Sequence, residues 1–314
     1  MKLSLLAIAV TLGMFASTDR PAAADDPPKR APDVTITGTR AQLRPEISAF
    51  VNNVTDFDPA DPILGLARWQ APVCPSVTGL ARNLGEFILE RVSEVAREAG
   101  VRLAGDNCRP NLYVLVSTEP QALLRGMERR NRGFTFGDAS PPLINAFIED
   151  PRPVKVWYFT AERTPEGQPL LGVSIPELNR AALEQAGAQV LTPGGVDRSF
   201  GTNAWSQSSR IRLNAVGAIY RVFVVVDQTR LRGANIGQVA DYVAMVGLSQ
   251  IKPGARLGDA PTILTLFSEG LQTARPGMSN WDREFLKSLY ATDQKTVMQR
   301  SHIALQMVRA IAPR

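Results

Sequence analysis

One histidine, His302, and two cysteines, Cys74 and Cys108, are all that the 314-residue chain offers of imidazole and thiol. A structural zinc site takes four such ligands, so a Cys/His zinc centre is excluded on ligand count. No Gly-x-Ser-x-Gly is present, and the glycine-rich "TPGGV" lacks the Lys-Ser/Thr of a phosphate loop, which removes two common hydrolase signatures. There is no internal repeat and no low-complexity block. Clustered positive charge is missing too. The net charge is +5 and the pI about 9.5, but the basic residues are scattered, mostly Arg, and densest in "MERRNRG" (Met127 to Gly133). A nucleic-acid footprint is a patch, so no nucleic-acid partner is expected. The one long apolar run, "LSLLAIAVTLGMFA" (Leu3 to Ala16), falls short of the ~20 residues that span a bilayer.

That run has another meaning. Lys2 ahead of it and the small residues Ala22 and Ala24 behind it give residues 1–24 the layout of a signal peptide, with cleavage expected before Asp25. The mature charge would be +4, after loss of Lys2, Arg20 and Asp19. No transmembrane segment would remain, and the protein would be periplasmic or secreted. In an oxidising compartment Cys74 and Cys108 are expected to pair, closing a loop of about 35 residues worth ~3–4 kcal/mol. The alternative is two buried free thiols.

With 44% hydrophobic residues the chain can bury a core, in one large domain or two smaller ones. Residues 25–43 read as a flexible, Pro-rich leader ending in a short strand, "DVTITGTR". Residues 44–150 read as an N-terminal α/β lobe. Its clearest element is the helix "ARNLGEFILERVSEVAREAGV", apolar at Leu84, Ile88, Val92 and Val95, with Glu90, Arg91, Glu94 and Arg97 elsewhere. A strand "NLYVLVSTEP" and a helix "QALLRGMERR" follow it. Residues 151–314 open with the aromatic strand "VKVWYFTAE" and continue through a polar Gly/Pro-rich stretch, 163–209. Next comes an expected hairpin turning at "NAVG", whose second strand, Ala218 to Asp227, is apolar enough to be central. The helix "IGQVADYVAMVGLSQ", a short helix or turn at "APTILTLFSEGL" and two further helices complete the chain. Ser279 and Asp282 are spaced as a capping box for the first of these. Strands interleaved with helices give the class α+β.

The helix carries the most informative pattern. Gly247 and Leu248, the turn "PTIL" (Pro261 to Leu264), and Asp282, Leu286, Leu289 and Tyr290 occur in order over about a quarter of the chain. This C-terminal part resembles zincin-like metallopeptidases, and more closely an uncharacterised family of exported proteobacterial proteins carrying that domain. There the helix reads roughly H-E-x-x-H-x-L-G-L, with two imidazoles on one helical face for zinc and a Glu to polarise the bound water. Here the two His positions fall on Ala240 and Ala244, and the Glu position on Asp241. Alanine has no lone pair for a metal. The resemblance therefore implies a zincin-like mixed sheet with packed helices, degenerate at its metal site, with no cofactor. A simpler account is an amphipathic core helix, with Ile236, Val239, Val243 and Val246 on one stripe.

Other candidate chemistry is sparse. Asp241 is the one weak catalytic candidate, with Asp259 and Glu269 as carboxylates that would neighbour it if the turn folds back. His302 reads as a surface or packing residue. "DVTITGTR" resembles the N-terminal box of TonB-dependent transporters, which implies strand addition to a periplasmic partner through Val34, Thr35, Ile36, Thr37 and Gly38; an edge strand of the first lobe is the alternative. The function expected from these features is an exported binding or scaffold protein for an unknown protein or small ligand. Its rivals are a hydrolase with a non-metal site and an envelope accessory protein engaging TonB.

Overall fold

In the computed structural model the described residues are 29, 35, 38–55, 66–164, 215–231, 233–252, 254–268 and 277–312. The expected signal peptide, the leader apart from residues 29, 35 and 38–43, the Gly/Pro-rich stretch from 165 onward, the first strand of the expected hairpin and Glu269 lie outside them.

The class is α+β. Seven helices and a five-stranded mixed sheet are present among the described residues. Strand β5 (Val216–Asp227) is its centre. Strand β4 (Val154–Arg163) runs antiparallel along one edge of β5. Strands β1 (Arg68–Trp69) and β3 (Leu112–Ser117) run parallel to β5, end to end along its other edge, and β2 (Pro75–Thr78) runs parallel to β3. Three of the four pairings are thus parallel. Strand β5 starts earlier than its apolar run suggested: Val216 and Gly217, expected in a turn, pair with Arg163 and Glu162. Ladder hydrogen bonds to β4 outweigh the turn preference of "NAVG".

Helices cover both faces, which explains the unbroken apolar run of β5. Val222, Val224 and Val226 point into the larger core, and Val225 into a smaller one on the opposite face. The small core is capped by α3 (Pro120–Phe136) and α4 (Pro141–Glu149), where Phe136, Phe147 and Trp157 meet edge to face. On the large side, α2 (Arg82–Ala99) crosses over from β2 to β3, as a parallel pair requires. It packs on α5 (Ile236–Leu248) and on α6 (Asn280–Ala291). Helix α6 in turn packs on α7 (Gln299–Ile311), and α7 on α1 (Arg40–Val54). One cluster of buried side chains runs from Leu43 to Ala312, so residues 44–150 and 151–314 share a sheet and a core.

Two tight places require glycine. Gly79 has φ +89°, and a β-carbon there would lie 1.8 Å from the Val116 carbonyl oxygen. At Gly247 a β-carbon would press on Leu112 of β3 at 3.2 Å, so the missing side chain lets α5 settle onto the sheet.

The expected disulfide is present. Cys74, just ahead of β2, is bonded to Cys108 in the loop before β3, with α-carbons 6.1 Å apart. Asn111 reinforces it: its Oδ1 accepts from the Cys74 N–H at 2.8 Å and its Nδ2 donates to the Pro72 carbonyl at 3.0 Å.

Candidate functional site

Helix α5 starts where the sequence supplies a reciprocal cap. Asn235 Oδ1 accepts from the Gln238 N–H at 3.0 Å, and Gln238 Oε1 accepts from the Asn235 N–H at 2.9 Å. Every residue from Gly237 to Leu248 except Tyr242 is buried, the mark of a helix enclosed on all sides.

Its far end is closed by side chains. A helix leaves its last four carbonyls without internal partners. Here the Met245 carbonyl accepts from the Ser249 hydroxyl at 2.7 Å and the Val246 carbonyl from the Tyr158 hydroxyl at 2.8 Å. The Gly247 carbonyl accepts from Trp69 Nε1 at 2.9 Å and the Leu248 carbonyl from the Tyr290 hydroxyl at 2.5 Å. All four carbonyls are satisfied, by donors from β1, β4, α6 and the helix's own C-cap. Arg68, the other residue of β1, closes α6 similarly, donating from Nη1 to the carbonyls of Leu289, Tyr290 and Thr292.

The separated pieces of the sequence pattern are joined by these bonds. Tyr290 links the end of α6 to Leu248. Asp282 links its start to the turn at Pro261–Leu264: the carboxylate accepts from the Thr262 hydroxyl, the Ile263 N–H, the Ser279 N–H and the Ser279 hydroxyl. Burial pushes the Asp282 carboxyl above its usual range, against the pull of these four donors. The capping box expected at Ser279 is therefore also a tertiary clamp.

Ala240 and Ala244 have no exposed surface and belong to the main core. Asp241 is equally buried and carries a structural load. Its Oδ1 accepts from Arg91 Nε at 2.5 Å and its Oδ2 from the Met278 N–H at 2.8 Å. Arg91 is itself only 3% exposed and also donates to Glu94 at 2.8 Å. Burial pulls the guanidinium down, but the two carboxylates outweigh it and hold its pKa above the ordinary value. Its charge sets Arg91 apart from the apolar face of α2 in the sequence. Its spacing places it on the apolar stripe, three residues after Ile88 and four before Val95, and that spacing was the missed signal. Asp259 is exposed in its turn, unlike the fully buried Asp241. His302 lies on the exposed side of α7. Of the TonB-box-like residues, Val34, Ile36 and Thr37 lie outside the described residues, Thr35 is exposed, and Gly38 stands close to Leu43. Thr39 and Arg40, at the end of that segment, cap and begin α1, and Thr39 donates from its N–H and its hydroxyl to Gln42 Oε1.

A cavity of about 240 Å³ opens on the other side of α5, between that helix, β4 and the loop after it. Tyr242 and Val246 line it from the helix, and Val154, Val156 and Tyr158 from the strand. Tyr242 is two residues from both Ala240 and Ala244, about 200° around the helix, so the cavity and the two alanines occupy different faces. Among the described residues no group of three or more His, Cys, Asp or Glu side chains could hold a metal ion.

Burial pushes the Tyr242 phenol up to about 12. An unfolded tyrosine ionises near pH 10, so the stabilising contribution of Tyr242 is complete below that pH and is lost as the pH rises to about 12. Denaturant unfolding followed across that window should show stability falling, and Tyr242→Phe should flatten the fall. An unchanged slope in the variant would show that Tyr242 titrates like a free phenol.

Comparisons of the chain with protein-family models, with curated proteins and with solved structures return no match.

Proposed function

We propose that this is an exported binding or scaffold protein on a zincin-like fold that has lost its zinc ligands, in which α5 keeps an architectural role and recognition uses the cavity beside it. The observation that carries this is the environment of Asp241. A general base must come within hydrogen-bond reach of a substrate proton. Both oxygens of this carboxylate are instead occupied inside the core, by Arg91 and the Met278 N–H. The neighbouring Ala240 and Ala244 have no donor atoms to give a metal. Export is favoured by the N-terminal residues 1–24 and agrees with the Cys74–Cys108 disulfide; no helix among the described residues is long and apolar enough to cross a membrane.

The test is metal content and its coupling to stability. Purified protein should hold no stoichiometric zinc, and a chelator should leave the melting temperature unchanged, because no ligand set ties metal binding to folding. Stoichiometric zinc, or a melting temperature lowered by chelator, would overturn the proposal and favour a hydrolase.

A further inference from the structure

The cavity beside α5 has an apolar floor and a cationic rim, and together they specify a class of ligand. Val154, Val156 and Val246 make part of the floor. One wall is an aromatic pair, Tyr242 and Phe267, with ring centroids 5.1 Å apart and tilted by 59°. At the rim stand Arg152 and Lys252, and no carboxylate is among the lining residues.

The charge balance at the rim is incomplete. Asp150, the acid nearest to Arg152, accepts from the Arg152 backbone N–H and from its Nε and Nη2. Arg152 Nη1 is left over. Lys252 is exposed and has no ion-pair partner among the described residues. Among the described residues, two lining cations stand against one adjoining carboxylate, a net of one positive charge. The Tyr242 hydroxyl lies in the electrostatic reach of Arg152 and has no hydrogen-bond partner among the described residues. Three donors therefore line one largely apolar cavity, where a single negative charge would find partners.

We propose that this cavity binds a small amphipathic monoanion: a carboxylate head at Arg152, Lys252 and Tyr242, with an aliphatic or aryl body over the valines and the Tyr242–Phe267 pair. A volume of about 240 Å³ equals about eight waters at ~30 Å³ each, which suits a molecule of roughly eight to ten non-hydrogen atoms. Displacing that water from an apolar floor drives binding, and the charged head fixes orientation. This assignment rests on the binding-protein proposal above.

Calorimetric titration of the full mature chain with octanoate and with phenylacetate, each against its neutral counterpart 1-octanol or 2-phenylethanol, tests it. At least one acid should bind with one-to-one stoichiometry, roughly tenfold or more tighter than its alcohol. The preferred acid distinguishes an aliphatic from an aryl body. Lys252→Glu, on an exposed side chain, should weaken the acid roughly five- to tenfold and spare the alcohol. Ala255→Trp, at the mouth, should abolish binding of both without lowering the melting temperature. Equal affinity for acid and alcohol, or no effect of Lys252→Glu, would overturn the anion assignment while leaving the binding role intact. No binding of any of the four probes would overturn the cavity's role, while the binding-protein proposal is decided separately by metal content.

Discussion

Replacing Asp241 by Asn is expected to cost about 3 kcal/mol of stability, because it leaves the buried Arg91 guanidinium with only the more exposed Glu94 as counter-charge. The pair joins α2 to α5, and through the Met278 N–H it also fixes the chain that leads into α6. In a protein of this size that loss corresponds to a fall of roughly 5–10 °C in melting temperature. Arg91→Met combined with Asp241→Leu should recover most of it, since a buried ion pair exchanged for apolar side chains of similar volume is often neutral. Loss of the Met278 hydrogen bond should keep recovery incomplete by about 1 kcal/mol. The comparison separates structure from catalysis. A catalytic Asp241 would lose an activity on conversion to Asn with the melting temperature unchanged, and that result would end the architectural interpretation.

Removal of the disulfide ranks next. It closes a separation of 34 residues, and opening a loop of that size costs about 3–4 kcal/mol in the chain-entropy model. Cys74→Ala with Cys108→Ala should lower the denaturation midpoint and modestly steepen the slope, because the unfolded chain without its cross-link is more open. Native protein unfolded without reductant should take up no thiol reagent. Two labelled thiols in that experiment would refute the bond. Strand register should survive its loss, because Asn111 already bridges the two segments: besides its side-chain bonds, its N–H donates to the Cys74 carbonyl at 3.0 Å. The measured loss is therefore expected to reflect the unfolded chain more than the native contacts.

Local rules made much of the fold legible in the sequence. Helix α2 follows from its 3.6-residue apolar period, and α6 from Ser279 and Asp282 at capping distance. The central place of β5 follows from a run with no polar face to offer water. The disulfide follows from two cysteines and the expectation of export. Each of these is decided by neighbours within a turn or two of chain, or by composition.

The candidate site was less accessible, and the reason is physical. An aspartate at 241 reads alike whether it faces a substrate or a buried arginine 150 positions away, because the partner that sets its role is brought up only by the packing of α2 on α5. The capping of α5 has the same character: Trp69, Tyr158 and Tyr290 come from three other elements and meet at three successive carbonyls only when the sheet and α6 are in place. The cavity had no signature in the pattern, since Tyr242 and Val246 lie on the helix side opposite the two alanines that drew attention. The sequence by itself determined most of the elements, the caps at Ser279 and Asp282 and the cysteine pair, all of which depend on local chemistry or composition. Tertiary structure decided which side chains are consumed as supports and which face a cavity, because burial and pairing are properties of surfaces that meet only after the chain has folded.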